Sequence, residues 1–160
     1  MKAKTSGNKA EQYFMKMMGM YGFEIIQLHI PSRFIFPKKK LDDSSKKKTF
    51  PSLIAVGKAE IDFVAVLRRK GLAAAIELKS VKTNTFSFKS KLRDEQMLKI
   101  KAYHDNGVFS CLVVYFSEFD TWSLVLGDKM FSVTKTSIDD SCKIAELSSK
   151  LAKLMEEYYV

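Results

Sequence analysis

The residues best suited to chemistry stand in two short apolar runs. Asp62 falls in the run 60–67, Glu77 and Lys79 fall in the run 72–79, and Arg68, Arg69, Lys70 and Gly71 separate the two. Runs of this length around a polar, glycine-containing break predict a β-hairpin. Successive side chains of a strand point to opposite faces, so Ile61, Phe63, Ala65 and Leu67 share one face and Asp62 points with Val64 and Val66 to the other. In the second run Ala73, Ala75, Glu77 and Lys79 share a face. With Arg69 and Lys70 as a two-residue turn, Asp62 lies directly across from Glu77, with Cβ atoms about 5 Å apart. Two carboxylates that close in an apolar sheet call for a compensating cation, either a divalent metal or a lysine. Mg²⁺ takes oxygen ligands, retains waters and binds phosphate oxygens, so it suits this pair, with Mn²⁺ as a substitute. Such an ion acidifies a bound water and neutralises charge on a scissile phosphate. The Lys79 ammonium can orient that water or stabilise the transition state. The plainer reading is a solvated strand face on which Asp62 pairs with Lys79. Against it, the run Ala73–Ala74–Ala75–Ile76 suggests a buried central strand, where unpaired charge is costly.

The elements that must hold these residues follow from periodicity. Ala10, Phe14, Met17, Met18 and Tyr21 fall on one helical stripe, with Ser6 or Asn8 as cap and Gly22 as stop. Glu11 borders that stripe, where it either reaches the site or sits at the rim of the core. A strand is predicted over 23–30, a helix over 92–106 closed by Gly107, strands over 109–116 and 121–126, and a final helix over 137–158. Between the hairpin and the helix over 92–106, residues 81–90 read as a polar stretch carrying Phe86 and Phe88. The order of helix, strand, hairpin, helix, two strands and helix is that of an α/β protein. We read residues 1–160 as a single domain. His29 and His104 have no partner at ligand spacing and read as structural. Cys111 and Cys142 match neither a zinc spacing nor a disulfide framework and read the same way. Trp122 and the Tyr158–Tyr159 pair read as packing or dimer-contact residues.

Charge points to the partner. The chain carries 27 Lys and Arg against 18 Asp and Glu, a formal net charge of +9. That balance attracts polyanions, with nucleic acid ahead of a membrane, because no run of roughly 20 apolar residues is present. The polar, basic start of the chain has no apolar segment of a secretion signal, and a cytoplasmic location is expected. The charge concentrates in 31–52, a proline-bounded stretch with Arg33, Lys38, Lys39, Lys40, Lys46, Lys47 and Lys48 against Asp42 and Asp43. We read it as a basic projecting arm inserted in the domain, because a long structureless loop inside a small domain is uncommon without a function. These cations, with Lys82 and Lys89, are assigned to the DNA backbone rather than to base reading. Phe34 and Phe36 either wedge between unstacked bases or pack in the core.

Gly7 with Glu11, Asp62–Phe63, Glu77–Leu78–Lys79, the loop with Phe86 and Phe88, and Gln96 opening a helix that leads to Gly107 resemble, in order and spacing, the RecU-type Holliday-junction resolvases of the PD-(D/E)xK nuclease superfamily. The resemblance runs from about Gly7 to Phe116. It implies a restriction-endonuclease-like core, a central mixed β-sheet flanked by helices, working as a homodimer that nicks four-way DNA junctions in pairs with Mg²⁺. Carried over by position, it implies that Asp62, Glu77, the backbone carbonyl of Leu78 and Glu11 hold the metal. It further implies that Lys79 orients water or stabilises charge, that Gln96 supports the site near the phosphate, and that 31–52 is the stalk entering the junction. Thr5 and Ser6 stand where that family has a basic residue, and Val64 and Ala65 where it has a glycine. A resolvase of archaeal or viral type, and a nuclease of the same core acting on other DNA, therefore stay open. So do a nucleic-acid-binding module without activity and a basic structural protein.

Overall fold

The first helix shows how the sequence builds the framework. In α1 (Lys4–Met20), Ala10, Phe14 and Met18 recur at helical spacing and are buried, while Lys9, Gln12 and Lys16 face solvent. The computed structural model describes residues 4–28, 32–35, 52–55 and 61–160. The helix begins before Ala10, so Ser6 and Asn8 lie within it rather than capping it. Gly22, at φ +89°, turns the chain into β1 (Phe23–Gln27), a conformation that an L side chain rarely adopts.

Five strands make the main sheet: β1, β4 (Phe63–Leu67), β5 (Leu72–Val81), β7 (Ser110–Phe116) and β8 (Thr121–Leu126), in that spatial order. All neighbours are antiparallel except β5 and β7, which run parallel because α3 (Asp94–Asp105) crosses over between them. The sheet is therefore mixed, and β5 is its central strand. Residues Ala74 to Leu78 are all buried, as expected of a strand covered on both faces, with Glu77 the one charged residue among them.

Each face has its own core. On one side α1 and α4 (Ile144–Tyr158) cover Phe63, Ala65, Ala74, Ile76, Leu78, Cys111, Val113 and the fully buried Trp122. Cys111 is a buried free thiol there, and burial raises its pKa far above the ordinary range. Trp122 thus serves packing. On the other side Leu112, Val114 and Phe116 meet Met97 and Ile100 of α3, and Phe86, Phe88 and Leu92 complete the cluster. The phenylalanines of the supposed loop 81–90 are core residues. Phe86 lies in β6 (Thr85–Ser87), which pairs with β9 (Lys135–Ser137), and Phe88 opens the short α2 (Phe88–Lys91).

The final helix starts at Ile144, because β9 and a 3-10 turn occupy the start of the expected span. Two tyrosines clamp its end, one to the sheet and one to α3. The Tyr159 hydroxyl donates to the Ala73 carbonyl at 2.7 Å and accepts the Phe109 N–H at 3.0 Å. The Tyr158 hydroxyl donates to the carbonyl of His104, whose ring packs against Phe109 and Tyr158. His29 lies outside the described residues.

Where the basic arm was expected, β2 (Ser32–Ile35) and β3 (Ser52–Ala55) pair antiparallel, Ser32 with Ala55 and Ile35 with Ser52, in a ladder separate from the main sheet. Arg33 and Phe34 belong to β2. Phe36, Lys38, Lys39, Lys40, Lys46, Lys47 and Lys48 lie outside the described residues. No helix among the described residues is long and apolar enough to cross a membrane.

Candidate active site

The site forms where two strands part. β4 and β5 are paired from Leu67↔Leu72 to Phe63↔Ile76, the register expected from the sequence, although the turn is the four-residue Arg68–Gly71. Beyond Ile76, β5 continues beside β7 as far as Val81, while β4 has ended. Asp62 sits at this fork, in a bend just before β4 and not inside the strand as expected. Its carboxylate replaces the missing ladder partner: Oδ2 accepts the Leu78 backbone N–H at 2.9 Å. Its own carbonyl accepts the Leu28 N–H at 2.8 Å, so β1 and β5 grip it from both sides.

Glu77 precedes Leu78 in β5 and is only 1% exposed. Its Oε1 accepts the Lys79 ammonium at 2.5 Å and also the side-chain amide of Gln96, near the start of α3. The Gln96 amide can point only one way. Its oxygen faces two donors of Arg93, the backbone N–H at 3.4 Å and Nε at 3.5 Å, which leaves Nε2 to donate to Glu77. The other oxygen of Glu77, Oε2, is buried and has no hydrogen-bond partner among the described residues. Burial pushes the Glu77 carboxyl up to about 7. Asp62 adds to the rise, and the cations Lys79 and Arg93 oppose it.

Glu11 comes to the same region from α1. It is half-buried, its Oε2 accepts the Gln27 amide at 2.8 Å, and its pKa is raised by desolvation and then by the Asp62 charge, with Gln27 and Lys79 opposing. The structure thus brings Asp62, Glu77, Lys79 and Gln96 together, with Glu11 within electrostatic reach. Lys82 and Lys89 are exposed, Lys82 just beyond β5 and Lys89 in α2. Sequence reasoning missed Gln27 and Arg93. Gln27 had a signal, since it ends β1 opposite Phe63, one residue from Asp62. Arg93, three residues before Gln96, had none beyond that spacing.

A buried carboxylate oxygen without a partner is a ligand atom open to a cation, because desolvation of an unpaired charged oxygen costs more than most hydrogen bonds return. The donors near the fork are carboxylate and carbonyl oxygens, the set that suits Mg²⁺. Among the described residues no group of three or more His, Cys, Asp or Glu gathers around one point, so the site is a pair of carboxylates with Glu11 at its margin.

Compared with solved structures, the chain is similar to Hjc of Archaeoglobus fulgidus, a Holliday junction resolvase from an archaeal hyperthermophile, with a TM-score of 0.53 and 15% identity over 89% of this chain and 99% of that one. This is the restriction-endonuclease-like fold. The mixed five-stranded sheet flanked by helices belongs to it, and the expected fold class holds. No family model matches the chain, and no curated protein matches it by sequence. On a restriction-endonuclease-like sheet of this kind, the fork between β4 and β5 carries the acidic and basic side chains described above.

Proposed function

We propose that the protein is a metal-dependent endonuclease that cuts branched DNA, with four-way junctions as its preferred substrate. The observation that carries this reading is the buried Glu77 whose Oε2 lacks a partner, beside Asp62 and Lys79 at the fork of the central strand. Asp62, Glu77 and the Leu78 carbonyl would hold Mg²⁺, with Mn²⁺ as a substitute and Glu11 completing the set. When bound, the ion would supply an acidified water and neutralise charge on the phosphate.

The chain's own groups do the rest. Gln96, fixed by Arg93, holds the Glu77 carboxylate in one rotamer. Asp62 is held by the main chain on two sides, so its carboxylate needs no reorganisation when a phosphate arrives. The Lys79 ammonium, a quarter exposed, stands between the buried carboxylate and solvent, where it can orient the attacking water or meet charge developing on the phosphate oxygens.

The basic residues of 31–52, with Lys82 and Lys89, would grip the sugar–phosphate backbone, the segment 31–52 acting as an arm of the RecU kind. Paired cuts at a two-fold symmetric junction require two sites, so the working form is a homodimer. The net charge of +9 fits such a substrate, and the likeness in fold to the archaeal Hjc resolvase supports it.

The test is cleavage of a labelled four-way junction against linear duplex of the same sequence, in Mg²⁺ and in EDTA, by wild type and by Asp62→Ala. Symmetric nicks on the junction alone, absent in EDTA and in the variant, are expected. Equal cutting of duplex would keep the nuclease and discard the junction. Tight binding without any cutting would leave a binding module.

A further inference from the structure

Beside the fork lies a second feature that the catalytic residues do not use. α1 crosses the carboxyl ends of β5 and β7, and between them is a groove of about 350 Å³ lined by Lys9, Ala10, Tyr13, Ser80, Val81, Lys82, Tyr115 and Ser117. The ends of parallel strands are where open α/β sheets leave room for ligands. Here the groove begins one residue past Lys79 in the chain.

Its charge is one-sided. Lys9 and Lys82 are exposed at the groove, and among the described residues neither has an ion-pair partner. The neighbouring carboxylate, Asp120, is already engaged: it accepts the hydroxyls of Tyr13 at 3.4 Å and Tyr115 at 3.1 Å, with the Lys143 ammonium at 4.0 Å. Those bonds draw the tyrosine hydroxyls toward Asp120. Tyr115 is further fixed by stacking on Trp122, with ring centroids 4.1 Å apart. The groove is thus a trough with two ammonium groups that have no ion-pair partner among the described residues.

A groove of about 420 Å³ beside the β4–β5 turn is also basic, with Arg68, Arg69 and Lys153 in its wall. There Arg69 is held by Glu156, and the groove lies at the opposite end of the hairpin from Asp62. Arg68 in that wall is exposed and, among the described residues, also has no ion-pair partner, so what sets the groove apart is its distance from the reacting centre.

We propose that the groove between α1 and the ends of β5 and β7 is a phosphodiester subsite, in which Lys9 and Lys82 hold the DNA backbone close to the bond that is cut. This rests on the nuclease reading and extends it by fixing the direction in which the strand leaves the site. Lys82 is three steps along the chain from Lys79, about 10 Å if extended. That places the contacts within the first few phosphates on one side of the cut. The ligand is the sugar–phosphate backbone and not a base, so the subsite is indifferent to sequence.

The test compares Lys9→Gln/Lys82→Gln with Arg68→Gln/Lys70→Gln, a double variant that removes the same charge at the far turn. Affinity for a labelled four-way junction is measured in EDTA across a salt series, and phosphate-ethylation interference maps the contacts. The groove variant is expected to bind on the order of tenfold more weakly, with a salt slope smaller by about 2. It should also lose interference at phosphates beside the cut, and Lys9→Arg/Lys82→Arg should restore all three. The turn variant should keep the interference pattern. Equal weakening in both variants, or an unchanged interference pattern in the groove variant, would overturn the subsite while leaving the nuclease standing. Failure of wild type to bind or cut any DNA would remove both.

Discussion

The two ends of the β4–β5 hairpin are made of the same two strands and behave as opposites. At the turn, the Leu67 carbonyl accepts both the Lys70 and Gly71 N–H groups, the ladder runs to its last pair, and the charged side chains point to water. At the fork the ladder stops early. A carboxylate stands in for a strand, and a glutamate is buried with one oxygen unpaired. The turn end satisfies its polar groups within the hairpin. The fork end leaves one unsatisfied, and a cation and a phosphate can supply what is missing. One hairpin thus separates stability from chemistry by about the length of a strand.

Substitutions at the fork should break that contrast most severely. Glu77→Ala is expected to reduce cleavage at least a thousandfold at saturating junction, with thermal unfolding measured alongside to show that the variant is folded. Next in size is Gln96→Ala, which frees the Glu77 rotamer without removing the ligand. About a ten- to hundredfold loss in kcat is expected, the range typical of groups that orient a metal ligand, and Gln96→Glu should not rescue it, because a carboxylate cannot donate to Glu77.

A smaller effect is set by pH. The Glu77 carboxyl, raised from 4.5 to about 7 by burial, holds its proton in the folded state between those values, whereas the unfolded chain has released it. Its contribution to stability is therefore complete below about 4.5 and is lost as pH rises through about 7. In EDTA the Glu77→Gln protein should gain unfolding temperature over wild type at pH 8 but not at pH 5. Added Mg²⁺ should raise the wild-type midpoint by several degrees at pH 8 and far less at pH 5, by mass action on the ionised site. The smallest effect belongs to the turn. Gly71 has φ +66° with open space around its Cβ position, so Gly71→Ala costs about 1 kcal/mol of conformational strain and should leave the rate of junction cutting unchanged.

The same contrast explains what the sequence made legible. Strand alternation and the length of the break between the runs were enough to set the register of β4 on β5, because a slip of one residue would turn Phe63, Ala65 and Leu67 to the other face. The five strands of the main sheet and the crossover helix were legible for the same reason. The fork was not. That Asp62 lies outside the strand depends on the end of β4, and strand ends are set by tertiary partners such as Leu28 and Leu78 rather than by local pattern. The β6–β9 pair was hidden because each strand is three residues long, too short to show a period. Gln27 and Arg93 were hidden because a neutral amide and a surface arginine acquire a role only through what the fold sets beside them.

The carboxylate at the fork has one more consequence, which concerns what the protein avoids. A central strand that outruns its neighbour would present bare main-chain donors and acceptors, the template on which a second polypeptide adds itself as a strand. By taking the Leu78 N–H with its side chain, Asp62 occupies that position with a charged group that an incoming chain would have to displace and dehydrate. The residue proposed to hold the catalytic ion also guards the opening it creates against aggregation.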